Sequence, residues 1–146
     1  MSNSPETGPH VHRMWAQDRA SARMGIDCLE VTLRDGLGLA RTRMRVTEEM
    51  ANGHGICHGG YVFALADSAF ALACNAGGRP TVAAGADIEF IAPAHAGDVL
   101  LAEARERASY GRSGLTDVRV VRVGDHTLVA ELRGRSRAVT GRSQNR

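Results

Sequence analysis

Cysteine is scarce in this sequence: Cys28, Cys57 and Cys74 are the only three in 146 residues. The number is odd and too small for a disulfide framework, so the chain reads as a reduced, intracellular protein. Excess charge is lacking too. The 18 basic and 16 acidic side chains leave +2 with neutral histidines. The basic excess sits in the arginines, and no general nucleic-acid footprint is indicated. Long apolar runs are also missing. "MSNSPETGPHVHR" contains none, which argues against a signal peptide. The most apolar stretch, Gly60–Asn75, carries Asp67 and falls short of the roughly 20 residues that a membrane helix needs. With no internal repeat and no low-complexity segment, the expectation is one soluble cytoplasmic domain over residues 10–139. Flexible tails are expected at 1–9 and 140–146.

What is present follows two periodicities. "VHRMWAQDRASARMG" sets Met14, Trp15 and Ala22 among charges and ends on Gly25, which predicts a short amphipathic helix. "CLEVTL" and "LGLARTRMRV" flank Asp35-Gly36, a hairpin signal. In the second arm Thr42, Met44 and Val46 alternate with arginines, the mark of a half-buried strand. The loop "EEMANGHGICHGG" then leads into an apolar helix over roughly 59–76, ended by "GGRP". Four strand-like segments follow: "TVAAGADIEFIAP", "DVLLAEARERAS", "LTDVRVVRV" and "TLVAELRGRSRAV".

This order predicts an α+β fold, an antiparallel sheet with one long central helix on its face. A helix that is apolar nearly all round needs cover on both faces. Val62, Leu65, Ala66, Ala69, Leu72 and Ala73 are expected on the sheet. Phe63, Asp67, Phe70 and Cys74 then face elsewhere, and a second copy of the chain is the natural cover.

Asp67 is the one acid in that helix. Burying a lone carboxylate disfavours its ionised form, so Asp67 either anchors a neighbouring loop or does chemistry. His58-Gly59-Gly60 opens the same helix. There the first N–H groups have no partner within the helix and, with the dipole, favour a developing oxyanion. The two glycines also suit a plain tight turn. Gly59 and Asp67 are eight residues apart, about 12 Å along a helix at 1.5 Å per residue, so one carbonyl cannot touch both. Two such helices packed antiparallel across a two-fold axis bring the start of one near the middle of the other. His54, Cys57 and His58 do not match a zinc spacing, and no metal is expected even with Asp67 added. Cys57 beside His58 can be read as an activated nucleophile or as a buried structural thiol.

With those residues in view, the sequence resembles the hotdog-fold acyl-CoA thioesterases of the phenylacetic-acid-degradation (PaaI) branch, from about Met24 to Val139. "NGHGICHGGYVFALADSAFALACNAGG" carries the resemblance, through an Asn six residues before His-Gly-Gly and the following Leu-Ala-Asp-Ser. "IEFIAPAHAGDVLLAEA" is similar as well, with Ala92-Pro93 where relatives often have Arg-Pro. The resemblance implies Asp67 as catalytic carboxylate, nucleophile or base for water. It implies the Gly59 N–H as donor to the thioester carbonyl, Asn52 and His58 as positioning groups, and Ser68 as support for the acid. It also implies Arg112, Ser113 and Gly114 of "YGRSG" as contacts for coenzyme A, which is substrate and product rather than cofactor. A homodimer built by sheet-edge pairing, assembling into a homotetramer, belongs to the same expectation. Arg112 is read equally well as a solvated turn residue, and Arg133, Arg135 and Arg137 as a solvated strand face. Phe63, Phe70 and Tyr61 suit either an aromatic acyl pocket or the core. The activity implied is hydrolysis of an aryl- or phenylacetyl-CoA, ring-hydroxylated phenylacetyl-CoA in particular, within phenylacetate catabolism. The alternatives are an enoyl-CoA hydratase or dehydratase on the same fold, and a non-catalytic acyl-CoA-binding module.

Overall fold

The computed structural model describes residues 2–3 and 7–139. The tail expected at 140–146 and residues 1 and 4–6 of the other tail lie outside the described residues. The elements run β1 (Ser2–Asn3), α1 (Pro9–Ala16), α2 (Arg19–Arg23), β2 (Asp27–Arg34), β3 (Leu37–Arg45), α3 (Gly59–Cys74), β4 (Thr81–Phe90), β5 (Val99–Tyr110), β6 (Ser113–Arg122) and β7 (Leu128–Ala138). They form one sheet in the order β1-β2-β3-β5-β6-β7-β4. Every pairing is antiparallel except the two-residue contact of β1 with β2. The expected α+β architecture, a sheet around one long helix, is therefore the architecture found. Among the described residues, no helix is long and apolar enough to cross a membrane.

Local chemistry explains most boundaries. Asp35 and Gly36 both take left-handed backbone angles (φ 53° and 78°), which suits the tight two-residue turn of a twisted hairpin. The single helix expected over 11–25 is instead two. Asp18 accepts a hydrogen bond from the Ser21 N–H at 2.9 Å and so caps a new helix where the first would have continued. The helix also begins earlier, at Pro9, whose fixed φ and missing N–H suit a first helical position.

α3 is seated in the sheet by its small and branched side chains. Val62, Leu65, Ala66, Ala69, Leu72 and Ala73 are all buried, as expected, against Ala40, Met44, Leu100, Ala102, Val120 and Ala130 of the same core. Phe70 departs from expectation. It is not on the outer face but fully buried, with its ring over Gly134 of β7. A Cβ there would sit 2.6 Å from the ring carbons. A glycine inside a strand marks such a close approach. One turn further on, at its C-terminal end, α3 rests on Gly38 of β3, where a Cβ would run into the carbonyl of Ala73. Asn75, 1 % exposed, fastens this end. Its side chain donates to Ala71 O and Thr81 O, and accepts from Thr81 N and His10 Nε2.

β4 is the outlier of the sheet. Among the described residues it pairs with β7 along one edge only, and none of its residues is buried. Val82 and Phe90 are more than half exposed, as is the adjoining Ile91. A ten-residue strand with a bare edge is a template for pairing with another chain.

Because Gly38 lies under helix backbone, the clash of a side chain there cannot be relieved by a rotamer change. Gly38→Ala is expected to destabilise the fold by about 3 kcal/mol or more. A shift in the urea unfolding midpoint at unchanged slope measures it.

Candidate active site

The loop before α3 is folded by Asn52 and closed by Cys57. The Asn52 side-chain carbonyl accepts from His54 N (2.9 Å) and Ile56 N (3.3 Å), and Gly55 supplies the positive φ of 78° that the turn requires. This leaves the Asn52 amide nitrogen without an acceptor among the described residues. Cys57 is buried, with its N–H on Ala94 O at 2.7 Å. Burial pushes its thiol pKa up, which disfavours the thiolate a nucleophile needs. Of the two readings of Cys57, the buried structural thiol is the one found.

His58 caps the helix. Its Nδ1 accepts from Gly60 N at 2.9 Å, and its carbonyl accepts from Tyr61 N at 3.0 Å. In the neutral ring the proton is therefore on Nε2, and the residue is exposed. With the next two N–H groups taken, the N–H of Gly59 has no acceptor among the described residues. It stands at the positive end of a 16-residue helix. Phe90, exposed on β4, lies against Gly59; a Cβ at that position would be 3.0 Å from its ring.

Asp67 lies about 12 Å further along α3. Its carboxyl is held above the usual carboxylate range by burial first and by the negative charge of Asp18 second. Ser68 is buried, and its hydroxyl meets that of Ser21 at 2.8 Å. The structure thus brings Asn52, His58 and Gly59 together and sets Asp67 and Ser68 two turns away on the same helix. Arg112, Ser113 and Gly114 lie at the opposite end of the sheet, beside the C-terminus of α3. There Arg112 Nε donates to Ala138 O at 3.3 Å, and Gly114 is buried under the Ser136 hydroxyl.

Arg133 and Arg135 of β7 have partners on the sheet surface. Arg133 grips Asp117 with two hydrogen bonds of 2.7 and 2.9 Å and lowers its pKa. Arg135 pairs with Asp87 at 3.0 Å. Phe70 belongs to the core, whereas Tyr61 and Phe63 are half-buried. Among the described residues no three His, Cys, Asp or Glu side chains come together as a metal-ligand set. Sequence reasoning missed Asp18 and Ser21 as neighbours of the acid. An Asp three residues before Ser, inside a charged helical pattern, was the available signal, since Asp is a preferred helix cap.

Residues 54–129 match the model of the thioesterase superfamily. The chain is 39% identical over 132 residues to the acyl-coenzyme A thioesterase PaaI of Escherichia coli, covering 90% of this chain and 91% of that protein. The solved structure of the E. coli PaaI protein, from the phenylacetic acid degradation operon, superimposes with a TM-score of 0.82 over 90% of this chain and 92% of that one. A second solved structure, the TT0310 protein of Thermus thermophilus, has a TM-score of 0.76 at 33% identity, over 84% of this chain and 99% of that one.

Because the fold raises the proton affinity of Asp67, ionised Asp67 weakens the fold above the unfolded carboxylate range, and the penalty vanishes below it. Asp67→Asn is therefore expected to melt at a higher temperature than the native chain at pH 7. The gap should narrow as the pH falls through the carboxylate range, as followed by calorimetry at pH 7 and pH 4.

Proposed function

The chain belongs to the thioesterase superfamily and is a thioester hydrolase of the PaaI kind, and we propose that it hydrolyses an aryl- or phenylacetyl-CoA, ring-hydroxylated phenylacetyl-CoA in particular, to the free acid and coenzyme A. The observation that carries the mechanism is the unshared N–H of Gly59 at the start of α3, on the same rigid helix as a half-buried acid. In this reading the Gly59 N–H holds the thioester carbonyl oxygen and stabilises the oxyanion as it forms. Asp67 attacks the carbonyl carbon or takes a proton from the attacking water; its raised proton affinity suits the second task near neutral pH. The tetrahedral centre then expels the coenzyme A thiolate. Asn52, through its free amide nitrogen, and His58, through Nε2, orient the carbonyl or the water. The thioester is electrophilic enough for one carboxylate and one oxyanion donor to suffice.

The separation of about 12 Å between Gly59 and Asp67 supports a reading in which the two serve different sites. In our reading two copies pair along the bare edge of β4, their α3 helices run antiparallel, and Gly59 of one chain faces Asp67 of the other. A homodimer then carries two equivalent sites, and dimers assemble into a homotetramer. The same arrangement brings Arg112, Ser113 and Gly114 of one chain towards the α3 start of the other, where they contact the nucleotide end of coenzyme A. Residues 10–139 make up this catalytic domain, acting in the cytoplasm, and the aromatic pocket is lined by Tyr61 and Phe63.

A panel of acyl-CoAs, followed by release of free thiol with enoyl-CoA hydration monitored in parallel, tests the assignment. Ring-hydroxylated phenylacetyl-CoA is expected to give the highest kcat/KM. Asp67→Asn is expected to lose about 100-fold or more in kcat while binding substrate with little change. Water addition without thiol release points instead to a hydratase, and full turnover by Asp67→Asn removes the acid from the mechanism.

A further inference from the structure

We propose that Asp18 is a positioning residue for Asp67, acting through Ser21 and Ser68 to hold the turn of α3 that carries the acid. The inference rests on the catalytic reading of Asp67 given above. Its basis is a chain of hydrogen bonds, buried between the two serines and partly buried at Asp18, that joins the α1–α2 junction to α3. Asp18 Oδ1 accepts from Ser21 N at 2.9 Å, and Oδ2 accepts from Ser21 Oγ at 2.7 Å. Ser21 Oγ also meets Ser68 Oγ at 2.8 Å.

The protons in this chain have one consistent order. Ser21 gives its hydroxyl proton to the Asp18 carboxylate, which can only accept when ionised. Ser21 Oγ must then accept at the second contact, so Ser68 donates. The direction is Ser68 to Ser21 to Asp18, ending on a full negative charge, which strengthens each bond along it. Both serines are buried, 3 % and 8 % exposed, so water does not compete. Ser68 is thereby fixed from outside α3, and with it the peptide that joins it to Asp67. No hydrogen bond joins Ser68 to Asp67 among the described residues, so the support that Ser68 gives the acid runs through this chain.

The same carboxylate is felt by Asp67 as charge. Asp18 is the neighbouring charge among the described residues that bears on Asp67, and it raises that acid's proton affinity. The other groups around it do not compete. Cys74, further along α3, has a thiol pushed up to about 12 and stays neutral through the working range. Glu106 of β5 bears on Cys74. Arg19 and Arg23 of α2 are exposed. One residue outside the sheet and central helix thus helps to hold Asp67 in place and adds, after burial, to the readiness with which it takes a proton.

The test reads Asp67 directly. The protein is labelled with carboxyl-carbon-13 aspartate, and the Asp67 resonance is identified by its loss in Asp67→Asn. Asp18→Asn keeps a good helix cap and removes the charge. In that variant the Asp67 titration midpoint is expected to move to lower pH, and the acid limb of kcat/KM is expected to move with it. Ser21→Ala breaks the chain while keeping the charge. It is expected to lower kcat by about tenfold with a smaller shift of the midpoint, and Ser21→Thr is expected to restore most of the rate. An Asp67 midpoint unmoved in folded Asp18→Asn, or full kcat in Ser21→Ala, overturns the proposal. Because the midpoint is read without turnover, such a failure differs from failure of the catalytic reading, which appears as an active Asp67→Asn.

Discussion

The seating of α3 in the sheet is the constraint on which the rest depends. The helix is held in its C-terminal half by contacts that allow little sliding. Its C-terminal end rests backbone to backbone on Gly38 and is fastened by Asn75, while Phe70, one turn earlier, is wedged over Gly134. Moving α3 by one residue would lift several buried side chains off the sheet, at about 1.5–3 kcal/mol for each large one. Everything mounted on the helix is therefore rigidly spaced. The distance from the free N–H of Gly59 to the carboxylate of Asp67 is a property of the core rather than of a mobile loop.

That rigidity makes the start and the middle of α3 useful and holds them too far apart for one carbonyl to touch both in a single chain. The loop before the helix consumes its own polar groups in an orderly way. Asn52 uses its carbonyl on the turn and keeps its amide, and His58 satisfies Gly60 and leaves Gly59. A helix start that satisfied all its donors locally would be more stable but would have nothing to offer a carbonyl. The same compromise appears at Asp67, whose burial weakens the fold while making the carboxylate a stronger base. The bare edge of β4 is a third instance. Alone it is an exposed, partly apolar strand, and in the dimer we propose it becomes a central pairing.

Much of this was legible in the sequence. Alternation in "RTRMRV", the Asp-Gly turn and the apolar run after His-Gly-Gly gave the strands, the hairpin and the helix, because each rests on local periodicity or on the backbone freedom of glycine. Asp67 and Gly59 stood out because a lone acid and a glycine pair are costly or unusual where they occur. The misreadings have a common cause. Phe70 was assigned to the outer face by helical spacing alone, but its place depends on a glycine in β7, 64 residues away in sequence. The helix expected over 11–25 divides because Asp18 can cap a second one, and the reach of that cap to Ser68 exists only once α2 packs on α3. Contacts between distant segments leave at most a single small or polar residue as their trace.

The central claim is that Gly59 and Asp67 meet across two chains. Gly59→Pro deletes the N–H at a first helical position, where proline's φ is tolerated, and the extended backbone of His58 (φ −60°, ψ 135°) suits a following proline. Gly59→Pro and Asp67→Asn are each expected to be inactive alone. Refolded together in equal amounts, half of the dimers are hybrids, and each hybrid holds one intact site. Turnover should therefore recover to about a quarter of the native value. If mixtures whose hybrid content is established by native mass spectrometry show no turnover above that of the two parents, the shared site is contradicted.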